Sequence, residues 1–240
     1  MNIIRLEEVD STNLYAKKNL VNLPDKSIII ANRQTAGRGR FDRNWIDLGN
    51  DNIFMSIILK PSDNFMQCYP NLTQYLSLVT CKTFDEYGLD TKIKWPNDVL
   101  INGKKIAGIL SETVMHGNIF NGLVLGIGIN LNADKESLSL IKDKEATALN
   151  LEISTDKVNK EEFLNKLLFK FFDNYDKFLA NGFVEIKDEY LSRACFLNSN
   201  VSVKVFNKEQ SGIAKTITDS GELVVERDNK ELVFTMGDIL

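Results

Sequence analysis

Two hydrophobic periods alternate along the chain. Continuous apolar runs in Ser27-Ile28-Ile29-Ile30-Ala31 and Asn52-Ile53-Phe54-Met55-Ser56-Ile57-Ile58-Leu59 predict buried strands. Helical spacing governs other segments. Ser11-Thr12-Asn13 precedes Leu14, Tyr15, Ala16 and Leu20, which reads as a short capped helix. From Pro70 to Tyr87 the apolar residues Leu72, Tyr75, Leu76, Val79 and Phe84 recur with a helical period, with proline near the first turn. Over 159–180, Phe163, Leu164, Leu167, Leu168, Phe171, Phe172, Tyr175, Phe178 and Leu179 fall on one face of a single helix, an aromatic stripe that belongs to a core. A further short helix is expected from Val184 to Leu191.

Between the two helix-rich regions the pattern is a hairpin series. Lys92–Trp95 and Val99–Ile101 lead into Asn102-Gly103, a pair preferred in tight antiparallel turns; 106–113 returns, Gly117-Asn118 turns again, and 119–129 forms the next strand. After residue 193 short strands follow at Val201–Phe206, Gly212–Thr218, Leu223–Glu226 and Leu232–Phe234, with turns at Asn207-Lys208 and Ser220-Gly221. The expected fold class is α+β: a mixed sheet flanked by helices over 1–192, then a small SH3-like β-barrel over 193–240.

Composition narrows the class. The chain has 240 residues, 43% hydrophobic and 26% charged, which suits a globular protein with an ample core. A net charge of −4 argues against wholesale nucleic-acid binding. Three widely spaced cysteines, Cys68, Cys81 and Cys195, and one histidine, His116, give neither a disulfide framework nor a dedicated zinc site. The opening residues are too charged for a signal peptide, and no apolar run approaches the roughly 20 residues of a membrane span. A cytoplasmic protein is expected.

Three stretches carry candidate chemistry. About 20 polar residues separate the two buried runs, and within them stands Arg33-Gln34-Thr35-Ala36-Gly37-Arg38-Gly39-Arg40. Glycine lets backbone N–H groups approach an anion while guanidinium forks bracket it; a solvated basic loop or an RNA-binding tract has the same composition. In Lys94-Trp95-Pro96-Asn97-Asp98 the turn returns Lys104-Lys105-Ile106-Ala107-Gly108-Ile109 beside the carboxylate and amide. Lysine, Asp98 and Asn97 together can hold phosphate, Mg²⁺ and a transferring group, or simply form a charged hairpin with Trp95 in the core. Alternate glycines in Gly126-Ile127-Gly128-Ile129-Asn130 permit close ligand approach on a strand. Neither a dinucleotide fingerprint nor a phosphate-binding P-loop is present.

Taken in order, from Ser11-Thr12-Asn13 through Gly37-Arg38-Gly39-Arg40, Trp45, Lys94–Asp98, Lys105–Ile109 and 126–130 to the C-terminal β module, the set resembles the biotin–protein ligases, whose catalytic fold is class II synthetase-like and similar to that of lipoate ligases. The resemblance implies ATP-dependent formation of biotinyl-5′-AMP and transfer of biotin to a lysine of a biotin carboxyl carrier domain. It implies Lys105, Arg40 and Asp98 as catalytic residues. Biotin would be held by Ser11, Thr12, Asn13, Gln34, Gly37, Arg38, Arg40, Lys105, Gly108, Gly126 and Gly128. ATP would be held by Arg38, Arg40, Trp45, Asn97, Lys105 and Asn130, with Trp45 as a platform for adenine. Mg²⁺ would accompany the ATP phosphates, with Asn97 and Asp98 as its only candidate protein ligands. Ser11–Asn13 also fit a plain helix cap, and Trp45 a hydrophobic clasp for the loop. Because the Ser-Thr-Asn motif begins at residue 11, a monofunctional form without an N-terminal DNA-binding domain is expected. No basic residue follows Lys230, so the sequence leaves open whether the C-terminal module contacts the nucleotide. Biotin, ATP and the carrier are the expected partners, with a homodimer allowed for and neither nucleic acid nor membrane. The rival readings are a lipoate or octanoate ligase or transferase, and a biotin-binding relative that has lost catalysis.

Overall fold

In the computed structural model, which describes residues 2–41, 43–62, 65–142 and 144–240, a mixed sheet is laid down by β1 (Ile3–Val9), β2 (Ile28–Gln34), β3 (Ile53–Leu59), β4 (Lys92–Lys94), β5 (Asp98–Ile101), β6 (Lys104–His116) and β7 (Ile119–Ile129). Their spatial order is β1-β2-β3-β7-β6-β5-β4. Only β1 and β2 run parallel; the other neighbours are antiparallel. The Asn102-Gly103 turn between β5 and β6 has positive φ at both residues, as a tight antiparallel turn requires.

Side-chain alternation sends the buried strands' residues to two cores. Ile28, Ile30, Ile57, Leu59, Leu123, Leu125 and Ile127 pack into the main core with α3 (Leu72–Asp85) and α6 (Lys160–Asp173), through Leu76, Val79, Phe84, Phe163, Leu167 and Phe171. Ile29, Ile58 and Val124 face the other way and meet Ala16 of α1 (Thr12–Asn19) and Leu20 at its C-terminal cap. That helix has eight residues and is about 12 Å long, so it covers only part of its face. The uncovered part carries Ser56, Gly108, Gly126 and Gly128, with Gly108 opposite Gly128 and Ser56 opposite Gly126.

Two helical expectations need correction. The aromatic stripe over 159–180 lies on two helices, α6 and α7 (Tyr175–Asn181), because Asn174 leaves helical geometry at ψ near 0° while the stripe stays buried. The expected helix at 184–191 is displaced to Lys187–Arg193, behind a 3₁₀ turn at Gly182–Glu185. The four-residue helices Phe65–Cys68, Lys135–Leu138 and Leu149–Glu152, and the edge strand β1, have no counterpart in the sequence reading.

A second, antiparallel sheet is built from β8 (Asn200–Val205), β9 (Lys208–Ile217), β10 (Leu223–Arg227), β11 (Lys230–Phe234) and β12 (Asp238–Ile239), in the order β11-β10-β9-β8-β12. The expected barrel is not closed: β11 and the two-residue β12 stand at opposite edges and do not pair. This sheet docks on the first through its β9–β10 turn. Trp95 Nε1 and Gln74 Nε2 donate to the Gly221 carbonyl at 3.3 and 2.9 Å, and Asn71 Nδ2 donates to the Ser220 carbonyl at 2.9 Å. Gly221 has φ of +84° and no room for a side chain, since a Cβ would lie 2.1 Å from Asn71 Nδ2.

Candidate active site

The site begins where α1 stops covering the sheet. Ser11 holds the N-cap position with extended backbone, but its hydroxyl makes no capping bond. Thr12 and Asn13 point down onto the strands. The Ser56 hydroxyl donates to Asn13 Oδ1 at 2.6 Å and pairs with Thr12 Oγ1 at 2.8 Å. Thr12 N and Oγ1 both donate to Gln34 Oε1, at 2.8 and 3.2 Å. Asn13 Nδ2 donates to the Leu110 carbonyl and to Glu112. Ser11, Thr12, Asn13 and Ser56 are all buried, so this polar end is fixed by mutual hydrogen bonds. Burial pushes the Glu112 pKa up, but Lys17, Asn13 and Arg38 outweigh it and hold the carboxylate below its usual range.

From that polar end a slot runs over the three glycines. A Cβ on Gly126 would stand 2.1 Å from Asn13 Oδ1, and one on Gly128 would stand 2.3 Å from the Trp45 ring. The Trp45 indole therefore packs against the glycine floor and leaves a cavity of about 30 Å³. Its Nε1 is buried without a hydrogen-bond partner among the described residues. The loop carrying it is pinned by Trp45 N donating to the Gly37 carbonyl and Gly39 N donating to the Arg43 carbonyl.

The slot opens into a cavity of about 520 Å³. Seven cationic side chains line it against three carboxylates among the described residues, a balance that suits a polyanion. Lys105 Nζ lies 2.5 Å from Asp98 Oδ1 and 5.5 Å from the Trp45 ring centre. Lys144 Nζ faces the other Asp98 oxygen at 3.9 Å. Burial pushes the Lys105 pKa down to about 8, with Asp98 pulling against it. Arg40 Nη1 donates to Asp238 Oδ1 at 2.6 Å and to Asn97 Oδ1 at 3.2 Å, and Arg43 Nη2 bonds the second Asp238 oxygen. Burial pushes the Arg40 pKa down; Asp238 acts in the opposite sense.

The residues singled out from the sequence thus fall into two connected groups. Ser11, Thr12, Asn13, Gln34, Arg38, Trp45, Gly108, Gly126 and Gly128 line the slot, with Gly37 in the backbone turn beside it. Arg38, Arg40, Trp45, Asn97, Asp98, Lys105, Gly108 and Asn130 line the large cavity. Trp45 is not displayed to that cavity as an open face: its ring is packed in the slot. The Asn130 side chain donates to the Thr147 carbonyl at 3.0 Å, so its amide is engaged with the protein. Asn97 and Asp98 do not form a metal cradle. Both Asp98 oxygens face lysine ammoniums and the Asn97 oxygen faces a guanidinium. No group of three or more potential metal-binding side chains occurs among the described residues.

Sequence reasoning missed four residues of the site. Ser56 is the lone hydroxyl in an apolar strand, which is itself a signal. Glu112 continues the β6 face, two residues past Leu110. Lys204 and Asp238 reach the large cavity from the second sheet; no local motif marks them.

Comparison with known proteins adds the family. Residues 6–130 match the biotin/lipoate A/B protein ligase family, and residues 196–240 match the biotin protein ligase C-terminal domain. The bifunctional ligase/repressor BirA of Bacillus spizizenii is 34% identical over 206 residues, 85% of this chain; the chain spans 63% of that relative's length. The biotin–[acetyl-CoA-carboxylase] ligase of Paracoccus denitrificans is 31% identical over 227 residues, 92% of each chain. The solved biotin protein ligase from Aquifex aeolicus in complex with biotin and ATP superposes with a TM-score of 0.85 at 28% identity, covering 100% of this chain and 97% of the other.

Proposed function

The chain belongs to the biotin/lipoate A/B protein ligase family, and we propose that it activates biotin with ATP and transfers the biotinyl group to a lysine of a carrier protein. The observation that carries this reading is one continuous path: a slot with a polar end and a glycine floor, opening at Lys105, Arg38 and Arg40 into a cationic cavity. The ureido ring of biotin offers donors and acceptors to Ser11, Thr12, Asn13 and Gln34, and its apolar tail runs over Gly126, Gly128 and Gly108. Its carboxylate then reaches Lys105. The match of residues 196–240 to the biotin protein ligase C-terminal domain favours biotin over lipoate or octanoate.

In the first step a biotin carboxylate oxygen attacks the α-phosphorus of ATP. The new O–P bond forms as the bond to pyrophosphate breaks, and pyrophosphate leaves with the electron pair. Lys105, Arg38 and Arg40 neutralise the charge that builds on the α-phosphate. Mg²⁺ enters with the nucleotide as MgATP, since Asn97 and Asp98 are already engaged by cations. In the second step a lysine amine of the carrier attacks the acyl carbon and AMP departs. Asp98 keeps Lys105 aimed into the cavity. Three free cysteines and a substrate that is an intracellular nucleotide support action in the cytoplasm, and no helix among the described residues is long and apolar enough to cross a membrane. The outer edge of β1 is unpaired among the described residues, which is the feature that supports a homodimer.

The test is exchange of labelled pyrophosphate into ATP. Exchange that depends on biotin, and is not supported by lipoate or octanoate, is the expected result. Exchange with lipoate alone would move the assignment to the other branch of the family.

A further inference from the structure

Three cavities meet at one residue. Leu110 lines the slot, the large cationic cavity and a third cleft of about 490 Å³. Arg40 stands in the wall between the large cavity and this cleft and lines both. The cleft lies around the part of β6 that β5 does not cover: the β5–β6 pairing begins at Asp98 opposite Gly108, and Ser111 further along borders the cleft. Thr73 and Gln74 of α3 form one wall, and Asp219 and Glu222 of the β9–β10 turn form another.

Its lining is far less cationic than its neighbour's. Among the described residues Arg40 is the one cation lining the cleft, at its inner end, and Asp219 and Glu222 stand on the side of the second sheet, Asp219 paired with Lys187 at 2.5 Å. The rest is amide, hydroxyl and apolar surface. A polyphosphate has nothing to bind there. An incoming ammonium group does: the Glu222 carboxylate attracts it, the Lys187-paired Asp219 offers it an exchangeable partner at the mouth, and Arg40 at the inner end disfavours its protonated form.

Resting on the biotin-ligase reading, we propose that this cleft is the entry route of the carrier's acceptor lysine. If biotin fills the slot and the nucleotide fills the large cavity, the acyl carbon of the adenylate lies where they join, at Leu110 and Arg40. The third cleft reaches that point without crossing either substrate. There the neutral amine attacks the acyl carbon. The C–N bond forms, the acyl C–O bond to the AMP phosphate breaks, and AMP leaves with that electron pair through the large cavity. The proton shed by the nitrogen passes to solvent through the cleft. Asp98 does not line the cleft, so it stays with Lys105 and does not serve as the base for this amine.

The test separates acceptor entry from activation. One variant reverses the charge of the mouth, Asp219→Lys with Glu222→Lys; a second, Met236→Trp, narrows the cleft from a half-exposed position in the bend between β11 and β12. Three rates are measured for each: biotin-dependent pyrophosphate exchange, release of the adenylate's acyl group to hydroxylamine, and transfer to a carrier domain. The expected result is unchanged exchange and hydroxylamine reaction, with the carrier KM raised about tenfold or more by lost electrostatic attraction or by blockage. A carrier KM unchanged in both variants overturns the route, as does a parallel loss of the hydroxylamine and carrier reactions. A wild-type enzyme without biotin-dependent exchange would overturn the functional reading instead.

Discussion

The Asp238 carboxylate accepts a hydrogen bond from Arg40 Nη1 at 2.6 Å and also holds Arg43, so the last strand of the second sheet grips the glycine–arginine loop of the first. Both members of the Arg40 pair are mostly shielded from solvent, with side-chain exposures of 20% and 11%. The second sheet is thereby part of the wall of the large cationic cavity, where it also contributes Lys204.

Asp238→Asn should loosen the loop without unfolding the protein. It removes a charge-assisted contact typically worth roughly 1.5–3 kcal/mol, so biotinyl-5′-AMP should escape roughly ten times faster or more. A chase measurement of adenylate release checks this, together with tryptic cleavage after Arg40 or Arg43, which should accelerate in the variant. Wild-type release and cleavage rates would show that the clamp does not retain the intermediate.

Lys105→Met should reduce pyrophosphate exchange by roughly two to three orders of magnitude, the usual effect of removing one preorganised charge at about 3–4 kcal/mol, while biotin binding persists. The pH profile carries a second signature. Burial holds the free-enzyme pKa of Lys105 down to about 8, and only the ammonium form neutralises the α-phosphate. Exchange measured as kcat/KM for ATP should therefore fall as pH rises through about 8. Lys105→Arg should lower the rate but remove that limb, since a guanidinium stays charged there. A wild-type profile flat to pH 9.5 would contradict the assignment.

Trp45 must leave the slot for biotin to enter, because the space beneath it holds about 30 Å³. The chain has two tryptophans, and Trp95 is buried with its Nε1 bonded to Gly221. Biotin should thus change the emission of Trp45 alone. The change should survive Trp95→Phe and vanish in Trp45→Phe; the opposite pattern would place the moving indole elsewhere.

Gly126→Ala adds one carbon where Asn13 Oδ1 lies 2.1 Å away. Asn13 must then move, breaking its bond from Ser56 and the polar end of the slot with it. Biotin affinity should fall about tenfold or more by isothermal titration. Affinity equal to wild type would mean that Asn13 does not define the slot.

The strands and the long aromatic surface were legible because burial on both faces and helical spacing leave strong patterns at Ile28–Ala31, Ile53–Leu59 and Phe163–Phe178. Of the slot, Gly126 and Gly128 were legible as alternate glycines in a strand, whereas Ser11, Thr12, Asn13, Gln34 and Gly108 were placed by resemblance. β1 was not legible, since Arg5, Glu7 and Glu8 give an edge strand the look of a polar leader. Asp238 and Lys204 were equally hidden. Each gains its place only when the second sheet docks, through Gly221 on Trp95 and Gln74, and no local pattern encodes a contact 198 residues away in sequence. Trp45 was placed by resemblance on adenine; its ring packs on the glycine floor and it also lines the large cavity.

The most direct measurement is the intact mass of a biotin carrier domain after incubation with this protein, biotin and MgATP. The account predicts a gain of one biotinyl group on the carrier, abolished in Lys105→Met and absent when ATP is omitted. A carrier of unchanged mass under conditions where a known biotin ligase labels it would contradict the proposed function.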